Sequence, residues 1–250
     1  MAAVDDRVVS WQPQAFPDTL FVLLSLKMLI SKIVPTVCLL WMFTLNCMAQ
    51  KAPEGFRTDA FRTGGNEYQV WSGYSPDSAI GIGKSQSRRF FLAGFGWRRV
   101  ILANDSVAWK FTVDAVPVAL ISEPTLNGIT VVPDPKKISC AGCAIGRRTS
   151  YAYGIEPVGF EFNFRRQRRY QPIAGINGGV LKFNYDVPVP NSNSFNFTFS
   201  VKAGLQVFTR QSRSLTIGYR YQHTSNANTG NPFNPGIDSN FVYAGFSFHR

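Results

Sequence analysis

Phe195-Asn196-Phe197-Thr198-Phe199-Ser200-Val201-Lys202-Ala203-Gly204-Leu205-Gln206-Val207 decides the fold of this chain. Odd positions are apolar and even positions are polar or small throughout. Successive side chains of a strand point to opposite faces, so the run reads as a strand between two different environments. Trp109-Lys110-Phe111-Thr112-Val113-Asp114-Ala115 repeats the pattern. Phe91, Ala93, Phe95 and Trp97 share one face, with Leu92, Gly94, Gly96 and Arg98 on the other.

Working outward, the chain from Glu67 onward reads as strand after strand, with no convincing helix. Eight strands are predicted, at about 66–74, 87–103, 107–121, 149–164, 170–185, 194–210, 213–225 and 239–249. Several exceed the roughly 9–11 residues that cross a bilayer at a tilt. Short connections at 104–106, 165–169 and 211–212 alternate with longer ones at 75–86, 122–148, 186–193 and 226–238. Outer-membrane barrels have this rhythm, and an even strand count closes an up-and-down barrel without an open edge. The expected fold class is therefore all-β: an eight-stranded antiparallel transmembrane β-barrel of the outer-membrane type. A soluble β-sandwich or lipocalin-like barrel would turn the apolar parity into a core. The turn alternation and the aromatics near strand ends (Tyr219, Tyr221, Tyr243 and Phe248), read as a girdle, favour the membrane barrel.

Eight strands enclose a lumen narrow enough for side chains to fill. Lys110, Asp114, Glu156, Lys202 and Arg220 lie on the polar parity, so they are expected inside with nearly balanced charge. The fourth strand breaks parity: Tyr151, Tyr153 and Ile155 are odd, whereas Val158, Phe160, Phe162 and Phe164 are even. Pro157 predicts a bulge between the two halves.

The N-terminal region is different. From Thr19 to Ala49 it is almost entirely apolar, with Lys32 before the run 33–45 and small Ala49 after it. That is the pattern of a secretory signal cleaved near 49/50, with Met28 a natural start. A transmembrane anchor is the alternative, and Thr44-Leu45-Asn46 before Cys47 is a poor lipoprotein signal. The expected organisation is residues 1–49 as extension and signal, 50–65 as a short periplasmic lead-in and 66–250 as the barrel. Residues 1–49 carry three basic and three acidic side chains, so the net charge of +11 stays with the mature chain. Export argues against nucleic acid and leaves anionic or phosphorylated lipid as the partner of that charge. Cys140 and Cys143 form a single CxxC without a second pair or nearby His, which predicts a local disulfide rather than a metal site. No cofactor and no metal are expected.

His223-Thr224-Ser225-Asn226 ends a second alternating run, Leu215 to Ser225. His223 and Ser225 share the apolar face with Leu215, Ile217, Tyr219 and Tyr221, an unusual place for polar groups. The chain has only two histidines, the other being His249. With the N-terminus in the periplasm, His223 and Ser225 fall at the outer end of their strand. Asp238, just before the last strand, has the parity of Val242, Ala244, Phe246 and Phe248, so it converges on the same wall. Hydroxyl, imidazole and carboxylate together make a nucleophile, a base and an orienting group. Asn226 could steady an oxyanion through its side chain or its backbone N–H. Glu156 and Glu161 lie on the fourth strand and are not expected beside the seventh. The basic turn 165–169 falls at the periplasmic end, away from this wall.

Tyr219-Arg220-Tyr221-Gln222-His223-Thr224-Ser225-Asn226-Ala227, then Asn234-Pro235-Gly236-Ile237-Asp238-Ser239, then Tyr243-Ala244-Gly245-Phe246-Ser247-Phe248, resembles the C-terminal signature of the bacterial lipid A 3-O-deacylases, the PagL family. The likeness is specific over about 215–248 and looser back to about residue 66. It implies an eight-stranded outer-membrane barrel with a Ser-His-acid triad on its outer wall. His223 would be the base, Ser225 the nucleophile, Asn226 part of the oxyanion hole and Asp238 the acid. The family has Glu at the matching place, so the acid is where the chain departs from it. The implied activity is cofactor-free hydrolysis of the 3-O-linked acyl ester of lipid A in the outer leaflet of the bacterial outer membrane. Lys136, Lys137, Arg147 and Arg148, in or beside the 122–148 connection, are candidates for holding its phosphates. The competing readings are a non-catalytic small barrel, structural or adhesive, and a phospholipase-type esterase using the same residues.

Overall fold

The structure is a computed structural model and describes residues 58–230 and 234–250. The expected signal sequence and most of the lead-in lie outside the described residues. The strands are β1 (Asn66–Ser75), β2 (Ser78–Ala79), β3 (Arg89–Ala103), β4 (Val107–Leu126), β5 (Ile129–Thr130), β6 (Ile145–Phe164), β7 (Tyr170–Phe183), β8 (Phe195–Arg210), β9 (Arg213–Ser225) and β10 (Ile237–His249). The eight long ones pair antiparallel in chain order. The β1–β10 ladder, from Glu67↔His249 to Tyr74↔Val242, closes the barrel. β2 and β5 are two-residue additions at the long-loop end, on β10 and β4.

Two strands run further than predicted. β4 and β6 stay paired out to Leu126↔Ile145, so the connection expected at 122–148 contracts to 127–144. Pro124 and Arg147-Arg148 read as loop residues in the sequence. The ladder nevertheless continues because Glu123 and Thr125 are buried in the mouth of the barrel. Cys140 and Cys143 are joined by a disulfide within the shortened loop. The register shift between Ile155 and Val158 on the β6–β7 ladder coincides with Pro157, where the sequence parity changes.

Alternation sorts the side chains into wall and lumen. Val70, Phe95, Phe199, Ile217 and Val242 are exposed on the outer wall. Inside, four cations (Arg98, Lys110, Lys202 and Arg220) are buried with four acids (Glu67, Asp114, Glu156 and Glu161). Glu161 meets Lys110 and, at 2.7 Å, Lys202. Lys110 also reaches Glu67 at 2.8 Å, and Arg98 lies 3.4 Å from Asp114. Buried charges persist only when paired in this way. Toward the long loops the lumen becomes apolar, with Phe90, Leu92, Ile121, Phe183, Ile237 and Phe241. At the short-turn end Phe61 of the lead-in packs against Val100, Ala108 and Phe208.

Two expectations are corrected here. Tyr243 is not a girdle residue: it shares the parity of Phe241 and Gly245 and is buried in the lumen. Glu156 does meet the strand it was expected to avoid, because the lumen is narrow enough for it to pair with Arg220 of β9. Both residues lie on the inner face, so Glu156 faces away from the outward-pointing His223.

The long-loop end is tied together. The guanidinium of buried Arg88 donates to the carbonyls of Gln86, Val131, Val132 and Pro188, which belong to three different connections. Asn226 Nδ2 donates to Ser192 O and joins the fourth connection to the third.

Candidate active site

His223 and Ser225 are half-buried on the outer face of β9, with inward-facing Gln222 and Thr224 alternating between them. In the β8–β9 register they lie opposite Phe199 and Phe197, both exposed on the wall. On the other side, Asp238 is directly opposite His223 in the β9–β10 ladder. Directly opposed residues of an antiparallel pair have Cα atoms about 4.5–5.5 Å apart. That closeness is why Asp, one methylene shorter than Glu, suffices: His223 Nδ1 and Asp238 Oδ1 are 2.6 Å apart.

Asp238 belongs to β10 itself, as its second residue, rather than to the preceding loop. It has outward parity yet is fully buried. Its cover is the segment after β1. β2 pairs with β10 through Ala79↔Asp238, and the chain then turns at Gly81 and runs back. The Gly83 N–H donates to Asp238 Oδ2 at 2.9 Å, and the Lys84 and Ser85 N–H groups donate to the Pro235 and Gly236 carbonyls. The Tyr221 hydroxyl, on the same face as His223, is near the same carboxylate: a Cβ on Gly81 would lie 2.5 Å from Asp238 Oδ2 and 3.7 Å from Tyr221 Oη. The carboxylate is thus held by an imidazole and a backbone amide.

The Ser225 hydroxyl accepts from Asn234 Nδ2 at 2.6 Å and from Ala227 N–H at 3.2 Å. Both interactions use its lone pairs, and among the described residues its proton has no acceptor. Among the described residues no hydrogen bond joins the His223 ring to Ser225. Gly236 lies against that ring: a Cβ there would stand 2.8 Å from His223 Cε1, and its φ of +55° also favours glycine. Beyond Ser225 the backbone turns sharply, with Ala227 at φ 51° and Asn228 at φ 59°. That turn carries the Ala227 N–H back onto Ser225.

Asn226 has the inner parity and is fully buried. Its amide donates to Ser192 O at 2.8 Å, and its Oδ1 accepts from Asn228 N–H at 2.9 Å. The side chain is therefore turned away from the wall, which corrects the expectation that it could face an oxyanion. Only the backbone N–H is left for that role.

The four basic candidates do not converge on Ser225. Arg147 and Arg148 stand on β6, separated from β9 by β7 and β8. Arg147 donates to Ser122 and to Ser87 O, while Arg148 is paired with Glu123 and lies over the Tyr185 ring. Lys136 and Lys137 are exposed on a single 3-10 turn, Pro135–Lys137, with Lys137 Nζ 3.4 Å from Gln86 Oε1. The exposed cation on the segment that covers the site is Lys84.

Sequence reasoning missed Gly83, Lys84 and Asn234 as parts of this arrangement. The signal available for the first was Gly81-Ile82-Gly83, two glycines that leave room for close backbone approach inside a connection otherwise read as plain loop. Asn234 lay within the quoted signature but received no role.

A closed antiparallel barrel with an apolar outer wall and a charge-balanced lumen defines the class: this is a bacterial outer-membrane β-barrel. Residues 146–247 match the family model of the lipid A 3-O-deacylases (PagL), hydrolases of that membrane, and the match spans the wall from β6 to β10. Among solved structures, the outer-membrane enzyme PagL aligns with 71% of this chain and 97% of its own at 17% identity, with a TM-score of 0.50. Neisserial surface protein A aligns with 74% of this chain and 97% of its own, at 15% identity and a TM-score of 0.42. OprG of Pseudomonas aeruginosa aligns with 76% of this chain and 97% of its own, at 10% identity and a TM-score of 0.42. At such identities the likeness concerns the fold alone. No curated protein matches the sequence.

Proposed function

We propose that this protein is a lipid A deacylase that hydrolyses the 3-O-linked acyl ester by a Ser-His-Asp mechanism at the outer wall of its barrel. One observation carries the reading. A carboxylate-held imidazole, with Nδ1 2.6 Å from Asp238, stands two residues from a serine whose proton has no acceptor among the described residues, all on the wall that meets hydrocarbon. The match of residues 146–247 to the deacylase family supports the substrate class.

Ser225 Oγ attacks the acyl carbonyl carbon while His223 Nε2 takes its proton. The tetrahedral intermediate collapses by breaking the bond to the sugar oxygen, which leaves with the proton returned by His223. Water then attacks the acyl-enzyme by the same route and releases the fatty acid. Residues two apart on a strand are about 6–7 Å apart along it, a gap that rotation of the two side chains closes when substrate displaces Asn234 from the hydroxyl. Catalytic hydrogen bonds are often loose before substrate binds. The Asn226 backbone N–H serves the oxyanion, Phe197 and Phe199 flank the acyl chain, and Lys84 meets a headgroup phosphate.

The test is mass spectrometry of lipid A from cells making the wild type or Ser225→Ala. The wild type removes the 3-position chain, and the variant, still a folded heat-modifiable barrel, leaves it in place. Identical lipid A from both strains would mean a non-catalytic barrel. Loss of chains from phospholipid instead would mean a phospholipase.

A further inference from the structure

Asp238 is outward-facing by parity, and an anionic carboxylate directed at hydrocarbon without donors is costly. What prevents that exposure is the connection between β1 and β3. We propose that Ala79–Gly83 is a positioning clamp: the Gly83 N–H fixes Asp238 Oδ2 so that Oδ1 holds His223 in its working orientation. The clamp rests on the reading of Ser225, His223 and Asp238 as a triad.

The close approach is built into the residue types. A Cβ on Gly81 would lie 2.5 Å from Asp238 Oδ2. One on Gly83 would lie 2.8 Å from Asp238 N and 3.0 Å from the Gly236 carbonyl carbon. Any side chain at Gly83 therefore lifts the segment off β10 and breaks the 2.9 Å bond to Oδ2. The segment is anchored from behind as well. Ser78 Oγ donates to Ser85 O at 2.7 Å and accepts from Arg88 N–H at 3.2 Å, and Arg88 is held by the other loops. These contacts leave the carboxylate no freedom to rotate away from the imidazole. The residues act through Asp238 and do not touch the ester.

The experiment uses the full chain reconstituted in bilayers with lipopolysaccharide as substrate. Gly83→Ala is expected to lower kcat at least ~10-fold, as loss of a group that orients a catalytic residue does, with KM little changed. On an Asp238→Ala background, Gly83→Ala should cost nothing further. A second readout needs no turnover. An imidazole Nδ1–H held against a carboxylate gives a far-downfield proton resonance, and with only two histidines in the chain it can be assigned to His223. That resonance should be present in the wild type and lost in Gly83→Ala. A full additional loss of kcat on the Asp238→Ala background, or an unchanged resonance in Gly83→Ala, overturns the clamp. Hydrolysis surviving in Ser225→Ala instead overturns the triad, and the resonance still judges the clamp.

Discussion

The lumen and the outer wall both bury acids, and they treat them differently. In the lumen, Glu161 is shared by Lys110, Lys202 and Arg98, and Glu67 binds Lys110, Gln206 and Ser247. Each of the four cations there lies within ion-pair distance of one of the four acids. On the wall, Asp238 is equally buried, but the chain of contacts it begins does not close. Among the described residues it runs to His223 and stops, with the Ser225 hydroxyl beyond it accepting from Asn234. A satisfied polar network holds a fold together, whereas one left open at a single edge has capacity to act on something that arrives there.

That contrast can be broken at either end. The largest effect is expected at the wall: Asp238→Asn should preserve the barrel and lower kcat by about 10⁴-fold, because an amide fixes the wrong imidazole tautomer. Steady-state kinetics alongside urea unfolding in lipid checks both halves of the claim. The lumen should answer in the opposite currency. Glu161→Ala leaves Lys202 without its acid and takes one of two acids from Lys110 and Arg98, so unfolding should show a loss of about 3–5 kcal/mol while kcat per folded molecule stays near wild type.

Smaller changes sharpen the boundary between the two regions. Asn226→Ala cuts the tie to Ser192 and keeps the backbone N–H. It should cost about 1–2 kcal/mol of stability and less than ~10-fold in kcat, against the roughly 10²–10³-fold loss of a side-chain oxyanion donor. Smallest of all, Lys84→Ala should raise KM a few-fold and leave kcat unchanged, with the difference fading in high salt as an exposed charge contact does.

The barrel was legible because alternation is a local signal. Phe195 to Val207 or Trp109 to Ala115 states its own parity, and Pro157 announced the bulge that resets it. His223 and Ser225 could be placed on the outer wall for the same reason. What the sequence hid depends on contacts between distant segments. The cover over Asp238 comes from residues about 155 positions earlier, through Gly83. Of the two routes read for Asn226, the side chain was the one misjudged, since its adjacency to Ser225 outweighed the parity that turns the side chain inward. Tyr243 failed similarly: an aromatic near a strand end suggested a girdle, and its odd position, shared with Phe241, pointed inside. Arg147 and Arg148 had the expected charge, but their partners Ser122 and Glu123 lie on a strand extension that Pro124 disguised as loop.

The most direct test of a reactive serine on the lipid-facing wall is covalent trapping. The protein in bilayers is treated with a long-chain alkyl fluorophosphonate, which reacts with activated serine hydroxyls, and the adduct is mapped by peptide mass spectrometry. The account predicts a single adduct on Ser225, abolished in His223→Ala and much slower with a short, water-soluble analogue. No adduct on Ser225, or labelling that survives loss of His223, would contradict it.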